Sequence, residues 1–249
     1  MEPALIEFKN IKKSFGTNHV LKGINLSITK GLITAIIGKS GTGKSVLLKH
    51  IIGLIQPDSG QLLFEGQPID HISRKKKNAL QRDLSYMFQD NALFDFMNIY
   101  DNIALPLKEA RRQAGQTDIS IRDKVDQRMN QLGLEGIQEK FPQQLSGGMK
   151  KRVALARALV TNPKIVLFDE PTTGLDPVRK RNVHTMIQEY QEKFGFTAVI
   201  VSHDIPEIFD VAQKIAMLDE GLIIFEGTRD ELFTSDSDRL NHFIHGRES

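Results

Sequence analysis

The chain has no cysteine among its 249 residues. That excludes a disulfide framework and thiolate chemistry, and it suits a reducing compartment. No apolar run approaches the ~20 residues that a membrane-spanning helix needs. The chain is therefore expected to be soluble and to reach a membrane only through a partner. Met1–Asn10 shows no charged segment followed by an apolar one, so no signal peptide is expected. An excess of one charge is also missing: Lys and Arg number 33, Asp and Glu 31, for a formal net charge of +2. Such a balance selects no strongly acidic or basic partner, and no nucleic acid is expected. Even the basic run Arg74-Lys75-Lys76-Lys77 reads as the solvated start of a helix. There is no internal repeat and no low-complexity segment. What remains is ordinary globular composition, 40% hydrophobic and 26% charged, at a length that fits one domain with subdomains.

One stretch organises the rest. Gly38-Lys39-Ser40-Gly41-Thr42-Gly43-Lys44-Ser45 matches the phosphate-loop pattern G-x-x-x-x-G-K-[ST]. It follows an apolar run, Ile33–Ile37, and opens a segment from Val46 to Ile52 with apolar residues at helical spacing. Strand, glycine-rich turn and helix are the context the pattern requires. Glycines let backbone N–H groups curl around an anion, and the helix N-terminus adds partial positive charge and free donors. Lys44 is placed to reach the β- and γ-phosphates of a nucleotide, and Ser45 to ligate Mg²⁺. As a plain glycine-rich turn with a surface lysine, the pattern would arise by chance in about one chain in a hundred of this size.

Elsewhere the pattern is that of an α/β protein. Leu5–Ile11 and Leu21–Ile28 read as strands, the second with Ile24, Leu26 and Ile28 alternating with Asn25 and Ser27, as in a half-buried antiparallel sheet. Phe15 sits in the turn region between them. Leu62–Phe64 and Leu84–Phe88 are strand-like, the latter ending at Gln89, a side chain that could reach a metal or phosphate. Ala92–Leu107 is unusually apolar for a loop; part of it must enter a core, and the remainder could dock a partner. From Ala110 to Gly136 the composition turns helical, with Val125, Met129 and Leu132 on one stripe. Leu145-Ser146-Gly147-Gly148-Met149 precedes a basic and apolar helix from Lys150 to Val160. Ser146 is a good N-cap there, and the glycines leave backbone donors open, a second potential anion site.

Ile165–Phe168 is a continuous apolar strand, hence buried on both faces, that runs into Asp169-Glu170. Carboxylates at such a strand's C-terminal end sit where open α/β sheets bind ligands. Asp169 can hold Mg²⁺ and Glu170 can orient and polarise an attacking water. Val178–Phe194 has Val183, Met186, Ile187, Tyr190 and Phe194 at helical spacing. Thr197–Ser202 is another buried strand, ending at His203, which is placed for a γ-phosphate contact. Ile215–Leu218 and Leu222–Phe225 flank a hairpin turn, and Glu231–Ile244 is a last helical stretch.

The order of phosphate loop, Gln89, Leu145-Ser146-Gly147-Gly148, Asp169-Glu170, Gly174-Leu175-Asp176 and His203 resembles the ATP-binding subunit of ABC transporters over nearly the whole chain. The Leu-Ser-Gly-Gly signature separates that family from other P-loop NTPases. The resemblance implies a RecA-like P-loop NTPase core with an antiparallel β subdomain, at about 1–90 and 160–249, and an inserted helical signature subdomain at about 91–159. It implies ATP and Mg²⁺ as cofactors. Phe15 matches the aromatic that stacks on adenine; Gly38, Lys39, Ser40, Gly41, Thr42, Gly43, Lys44, Ser45 and Val46 match the phosphate-binding segment. Ser45, Gln89 and Asp169 match the Mg²⁺ ligands, and Glu170, His203, Lys44 and Gln89 the catalytic set. Ser146, Gly147 and Gly148 match the signature that contacts the γ-phosphate of the nucleotide held by a second copy, and Asp176 matches the dimer-contact loop, which together imply a homodimer closed around two ATP.

Two longer stretches, Met149–Ala158 and Met87–Leu107, are similar to the ATPase of Mla-type (mammalian-cell-entry, MCE) phospholipid transporters of bacterial envelopes. That similarity implies an integral-membrane permease, an MCE-domain lipid-binding protein and a small STAS-type regulatory subunit as partners, with the chain peripheral on the cytoplasmic face of the inner membrane. An amino-acid importer or lipoprotein-release ATPase shares the same chemistry. A soluble ABC ATPase and a kinase-like phosphoryl transferase are weaker alternatives, since the chain shows neither tandem cassettes nor a separate acceptor pocket.

Overall fold

The computed structural model describes residues 3–69, 72, 74–87, 92–114 and 121–244. In chain order the elements are β1 (Ala4–Phe15), β2 (Asn18–Thr29), β3 (Ile33–Ile37), α1 (Lys44–Ile51), β4 (Ser59–Phe64), β5 (Gln67–Pro68), α2 (Arg74–Asp83) and β6 (Leu84–Met87). There follow α3 (Ile99–Ala114), α4 (Ile121–Gln131), α5 (Gly147–Leu159), β7 (Ile165–Asp169), α6 (Pro177–Phe194), β8 (Thr197–Ser202), β9 (Lys214–Asp219), β10 (Leu222–Gly227), α7 (Arg229–Phe233) and α8 (Asp238–Ile244).

The strands form two sheets. One is antiparallel, in the order β2-β1-β4-β5; the other runs β10-β9-β3-β8-β7-β6. In the second, β6, β7, β8, β3 and β9 are parallel and β10 turns back antiparallel at the edge. Because β3, β8 and β7 pair in parallel, their C-terminal ends open on the same side of the sheet. That side is where α/β sheets place ligands.

Alternation along the parallel strands divides the core. Ala35, Val166, Phe168, Ala198 and Ile200 face a layer built from α3, α4, α5 and α6. Ile36, Leu167, Val199 and Val201 face α1 and the antiparallel sheet, in a cluster with Leu47 and Leu48 of α1, Ile6 and Phe8 of β1, and Ile24 of β2. Every residue of β3 and β8 is buried, as continuous apolar runs in a doubly covered sheet require. Helix α1 is thus held between two sheets, and full burial of Leu47, Leu48 and Ile51 contributes about 2 kcal/mol each.

Several expectations are corrected. The apolar stretch read as a loop up to Leu107 contains the first half of α3, which begins at Ile99. Asn98 caps it by accepting from Asp101 N–H at 2.7 Å, and Ile99, Ile103 and Ala104 are buried. Pro106 inside the helix removes one backbone donor and hides the periodicity from a sequence reading. Asn102 pins the preceding turn, accepting from Phe94 N–H and donating to the Phe94, Met97 and Asn98 carbonyls. The helix expected from Lys150 begins at Gly147, with Ser146 as its N-cap. The last helical stretch is two short helices, α7 and α8, rather than one. The first two strands extend to Phe15 and from Asn18, so Phe15 ends a strand instead of lying in the turn.

Candidate active site

The phosphate loop leaves β3 and enters α1, and two of its glycines are required by their surroundings. Gly43 has φ +102°, and a Cβ there would lie 2.8 Å from Val20 Cγ1; a Cβ on Gly38 would lie 2.3 Å from the Leu218 carbonyl oxygen. The loop therefore hugs both sheets with no room for a side chain at either end. Lys44 folds back over it, donating to the Gly38 carbonyl at 2.8 Å and the Lys39 carbonyl at 2.9 Å. Thr42 Oγ1 also donates to the Lys39 carbonyl, at 2.9 Å. Lys44 is buried, and that burial pushes its ammonium below the ordinary lysine value, while Glu170 and Asp169 hold it up.

Asp169 ends β7 beside the start of α1. Its Oδ1 accepts from Ser45 Oγ at 2.8 Å and its Oδ2 from the Tyr86 hydroxyl at 2.5 Å. Burial, then the adjacent Asp169, raises the Tyr86 phenol far above its ordinary value. Glu170 follows in a left-handed backbone conformation, φ +51°. Its N–H donates to the Val201 carbonyl at 3.0 Å, tying the turn to β8. A non-glycine residue in that region is held by its surroundings, a recurrent feature of functional turns. The carboxylate of Glu170 accepts from Thr173 Oγ1 at 3.2 Å, lies 2.6 Å from His203 Nδ1 and stands 3.7 Å from Lys44 Nζ.

Behind this turn, buried Asp204 accepts from Thr172 Oγ1 at 2.6 Å and from Lys180 Nζ at 2.5 Å. Burial works to raise its pKa, but the Lys180 and Thr172 hydrogen bonds and the Lys180 charge outweigh it and hold the carboxyl below its ordinary range. The histidine turn is thereby fixed to α6 and to the segment after Glu170.

A cleft of about 470 Å³ gathers Phe15, Val20, Ser40, Gly41, Gly43, Lys44, Ser45, Val46, Glu170, Thr173 and His203. Phe15 stands at its rim, half exposed, with Lys13 Nζ 5.6 Å from its ring centre. Gly38, Lys39 and Thr42 shape the loop from behind. Ser146, Gly147 and Gly148 are not part of this cleft. They are exposed and line a second one, about 650 Å³, with residues of α5 and α6 that include Lys151, Arg152, Arg179 and Asn182. Asp176 is the N-cap of α6, accepting from Arg179 N–H at 3.0 Å, and is likewise absent from the first cleft. Gln89 lies outside the described residues.

Tyr86, Thr173, Thr172, Asp204 and Lys180 are site residues that reading the sequence passed over. Asp204 adjoins His203 in the chain and Tyr86 lies in a strand three residues before Gln89; those adjacencies were the available signal. Lys180 had none, since only the packing of α6 brings it to Asp204.

Residues 21–173, more than half of the chain, match the family described as ABC transporter. The chain belongs to that family. It is an ABC ATPase, with the P-loop NTPase fold, and it binds ATP. It is 40% identical over 97% of its length to a probable ribonucleotide transport ATP-binding protein, mkl, of Mycobacterium leprae, covering 69% of that protein. It is 36% identical over 99% of its length to the intermembrane phospholipid transport ATP-binding protein MlaF of Haemophilus influenzae, covering 92% of it. It is 38% identical over 96% of its length to the methionine import ATP-binding protein MetN of Campylobacter jejuni, covering 75% of it. Among solved structures, cbiO1 from Clostridium perfringens, part of an ABC transporter complex, matches with TM-score 0.83 and 33% identity over 94% of this chain and 92% of that one. The ATP-binding cassette MJ0796, solved as a dimer in a post-hydrolysis state with ADP and Pi, matches with TM-score 0.75 and 30% identity over 90% and 98%.

Proposed function

We propose that this chain is the ATP-hydrolysing subunit of a transporter that moves phospholipid between bacterial envelope membranes, working as a homodimer on the cytoplasmic face beneath a separate permease. The observation that carries the ATPase part is the meeting of Lys44, Ser45, Glu170 and His203 at one cleft, with Asp169 bonded directly to Ser45. The phospholipid part is supported by MlaF, whose similarity runs the length of both chains.

In this reading the base stacks on Phe15 and the phosphates lie along Gly38–Val46. Lys44 exchanges its two loop carbonyls for phosphate oxygens. The Ser45 hydroxyl and the Asp169 carboxylate are hard oxygen donors 2.8 Å apart. Among the described residues no group of three or more His, Cys, Asp or Glu is gathered for a metal. One carboxylate and one hydroxyl beside substrate phosphates is a donor set that fits Mg²⁺. Ser45, Asp169 and, from its place in the sequence, Gln89 would hold the ion, which when bound neutralises charge on the β- and γ-phosphates. Glu170 orients the attacking water and takes its proton, and His203 keeps the Glu170 side chain turned toward the cleft.

The separation of Ser146, Gly147 and Gly148 from the phosphate loop supports the dimer. The helical segment of about 91–159 acts as an arm that presents the signature to the nucleotide of the second copy, while about 1–90 and 160–249 form the nucleotide-binding core. Asp176 lies in the loop that meets the partner. Phe94 and Phe96, with ring centres 5.6 Å apart and 40% and 75% exposed, are the docking patch for the permease. No helix among the described residues is long and apolar enough to cross a membrane, so the spanning part is assigned to that permease, with an MCE-domain protein and a small STAS-type subunit completing the assembly. The likeness to MetN favours an amino-acid importer as the second reading. Tagged pull-down from gently solubilised native membranes, with mass spectrometry of proteins and lipids, separates them. A multi-span permease recovered with an MCE-domain protein and phospholipid supports the lipid reading. An amino-acid-binding partner overturns the substrate and keeps the ATPase.

A further inference from the structure

We propose that Tyr86 is a positioning residue for the Mg²⁺ site: its hydroxyl holds the Asp169 carboxylate aimed at Ser45. The proposal rests on the reading that Ser45 and Asp169 hold the ion.

Strand register sets up the contact. β6 pairs in parallel with β7, and Tyr86 stands beside Leu167. Tyr86 and Leu167 pack in the same cluster, on the α1 face of the sheet, while Phe168 faces the other side. Asp169, two residues beyond Leu167, points to the Tyr86 face again. That step along the strand is about 6.6 Å, a distance that a phenol spans and a short side chain does not. A one-residue slip of β6 would send the ring to the opposite face.

The two carboxylate oxygens of Asp169 then have different donors. Oδ1 accepts from Ser45 on α1 and Oδ2 from Tyr86 on β6. Rotation of the carboxylate would break both bonds, so donors on two separate elements fix one orientation. Without the Tyr86 hydroxyl the carboxylate keeps only the Ser45 bond and turns about it. Groups that orient a metal ligand in this way typically change metal affinity by about 10–100-fold when removed.

Tyr86→Phe tests this, because it keeps the half-buried ring in its packing and deletes the hydroxyl alone. The probe is a non-hydrolysable ATP analogue, bound to the full chain once with Mn²⁺ and once in EDTA. Tyr86→Phe is expected to leave the EDTA affinity within about twofold and to lower the Mn²⁺-supported affinity by about tenfold, with a changed electron paramagnetic resonance spectrum of the bound ion. A merely structural role would lower both affinities together, and that result overturns the proposal. Asp169→Asn is measured alongside. If Asp169→Asn loses the metal effect and Tyr86→Phe keeps it, Tyr86 only packs and the Mg²⁺ assignment survives. If neither variant alters the metal effect, the Mg²⁺ assignment fails and the proposal with it.

Discussion

At the phosphate-loop cleft the functional side chains already have partners within the chain. Lys44 bonds to two loop carbonyls, Ser45 and Tyr86 to Asp169, and Thr173 to Glu170, with His203 Nδ1 at 2.6 Å from it. At the signature cleft the glycines of the helix start stand open instead. The Ser146 hydroxyl serves its own helix by accepting from Met149 N–H, and a Cβ on Gly147 or Gly148 would meet nothing within 4 Å. One region is preorganised by the fold, so binding there replaces internal bonds rather than ordering loose groups. The other is a rigid helix end with open space above it, whose glycines the chain's own packing does not explain. The contrast is between a cleft whose side chains are held in place by the chain itself and a helix start that leaves its glycines open, as the proposed second copy requires.

The largest effect expected comes from breaking the first region. Lys44→Ala should lower turnover by roughly 10³-fold, measured as phosphate release; full activity would remove Lys44 from the site. Glu170→Gln should lower turnover by about 10²–10³-fold while ATP still binds, and it should trap an ATP-bound dimer visible by gel filtration. Monomer alone under those conditions, with the permease added as well, would break the assignment of the second region to a partner copy.

Next comes the support behind the histidine turn. Lys180→Met leaves Asp204 buried with one donor fewer, which should destabilise the fold by about 3 kcal/mol, read from urea denaturation. The same contact predicts a pH dependence. Asp204 is held below its ordinary value of 3.8 in the folded chain, so its contribution is complete above that value and is lost as pH falls through the lower folded value. Wild-type stability should therefore drop more steeply than that of Lys180→Met on acidification below about pH 4.

Smaller effects separate the two clefts most sharply. Gly147→Ala should raise stability by up to about 1 kcal/mol, since glycine is a poor helix former, and yet lower turnover about tenfold, if a nucleotide held by a second copy approaches that backbone. Unchanged turnover would mean that nothing docks there. Phe96→Asp should alter the stability of the isolated chain by less than about 0.5 kcal/mol and its basal turnover not at all, while binding to the permease is lost.

The phosphate loop, the apolar strand before Asp169 and the capped signature helix were legible because each is local: a strand, a turn and a helix start have short-range signatures. The first half of α3 was not: Ile99 and Ile103 stand at helical spacing and are buried, but Pro106 reads as a helix break, and the Asn98 and Asn102 side-chain bonds that hold the helix start depend on tertiary placement. Tyr86 and Lys180 were missed for a related reason. Their roles depend on which strand lies beside which and on which face a helix turns.

Taken alone, the sequence determined the family and the fold class, since those are written in contiguous motifs whose chemistry follows from spacing. The tertiary structure decided which motifs meet. Parallel pairing of β3, β7 and β8 brings the phosphate loop, Asp169, Glu170 and His203 to one side of the sheet, and the placement of α5 against α6 keeps Ser146–Gly148 at a separate cleft. Adjacency of that kind is set by long-range register and by burial of opposite sheet faces, which no local stretch of sequence encodes.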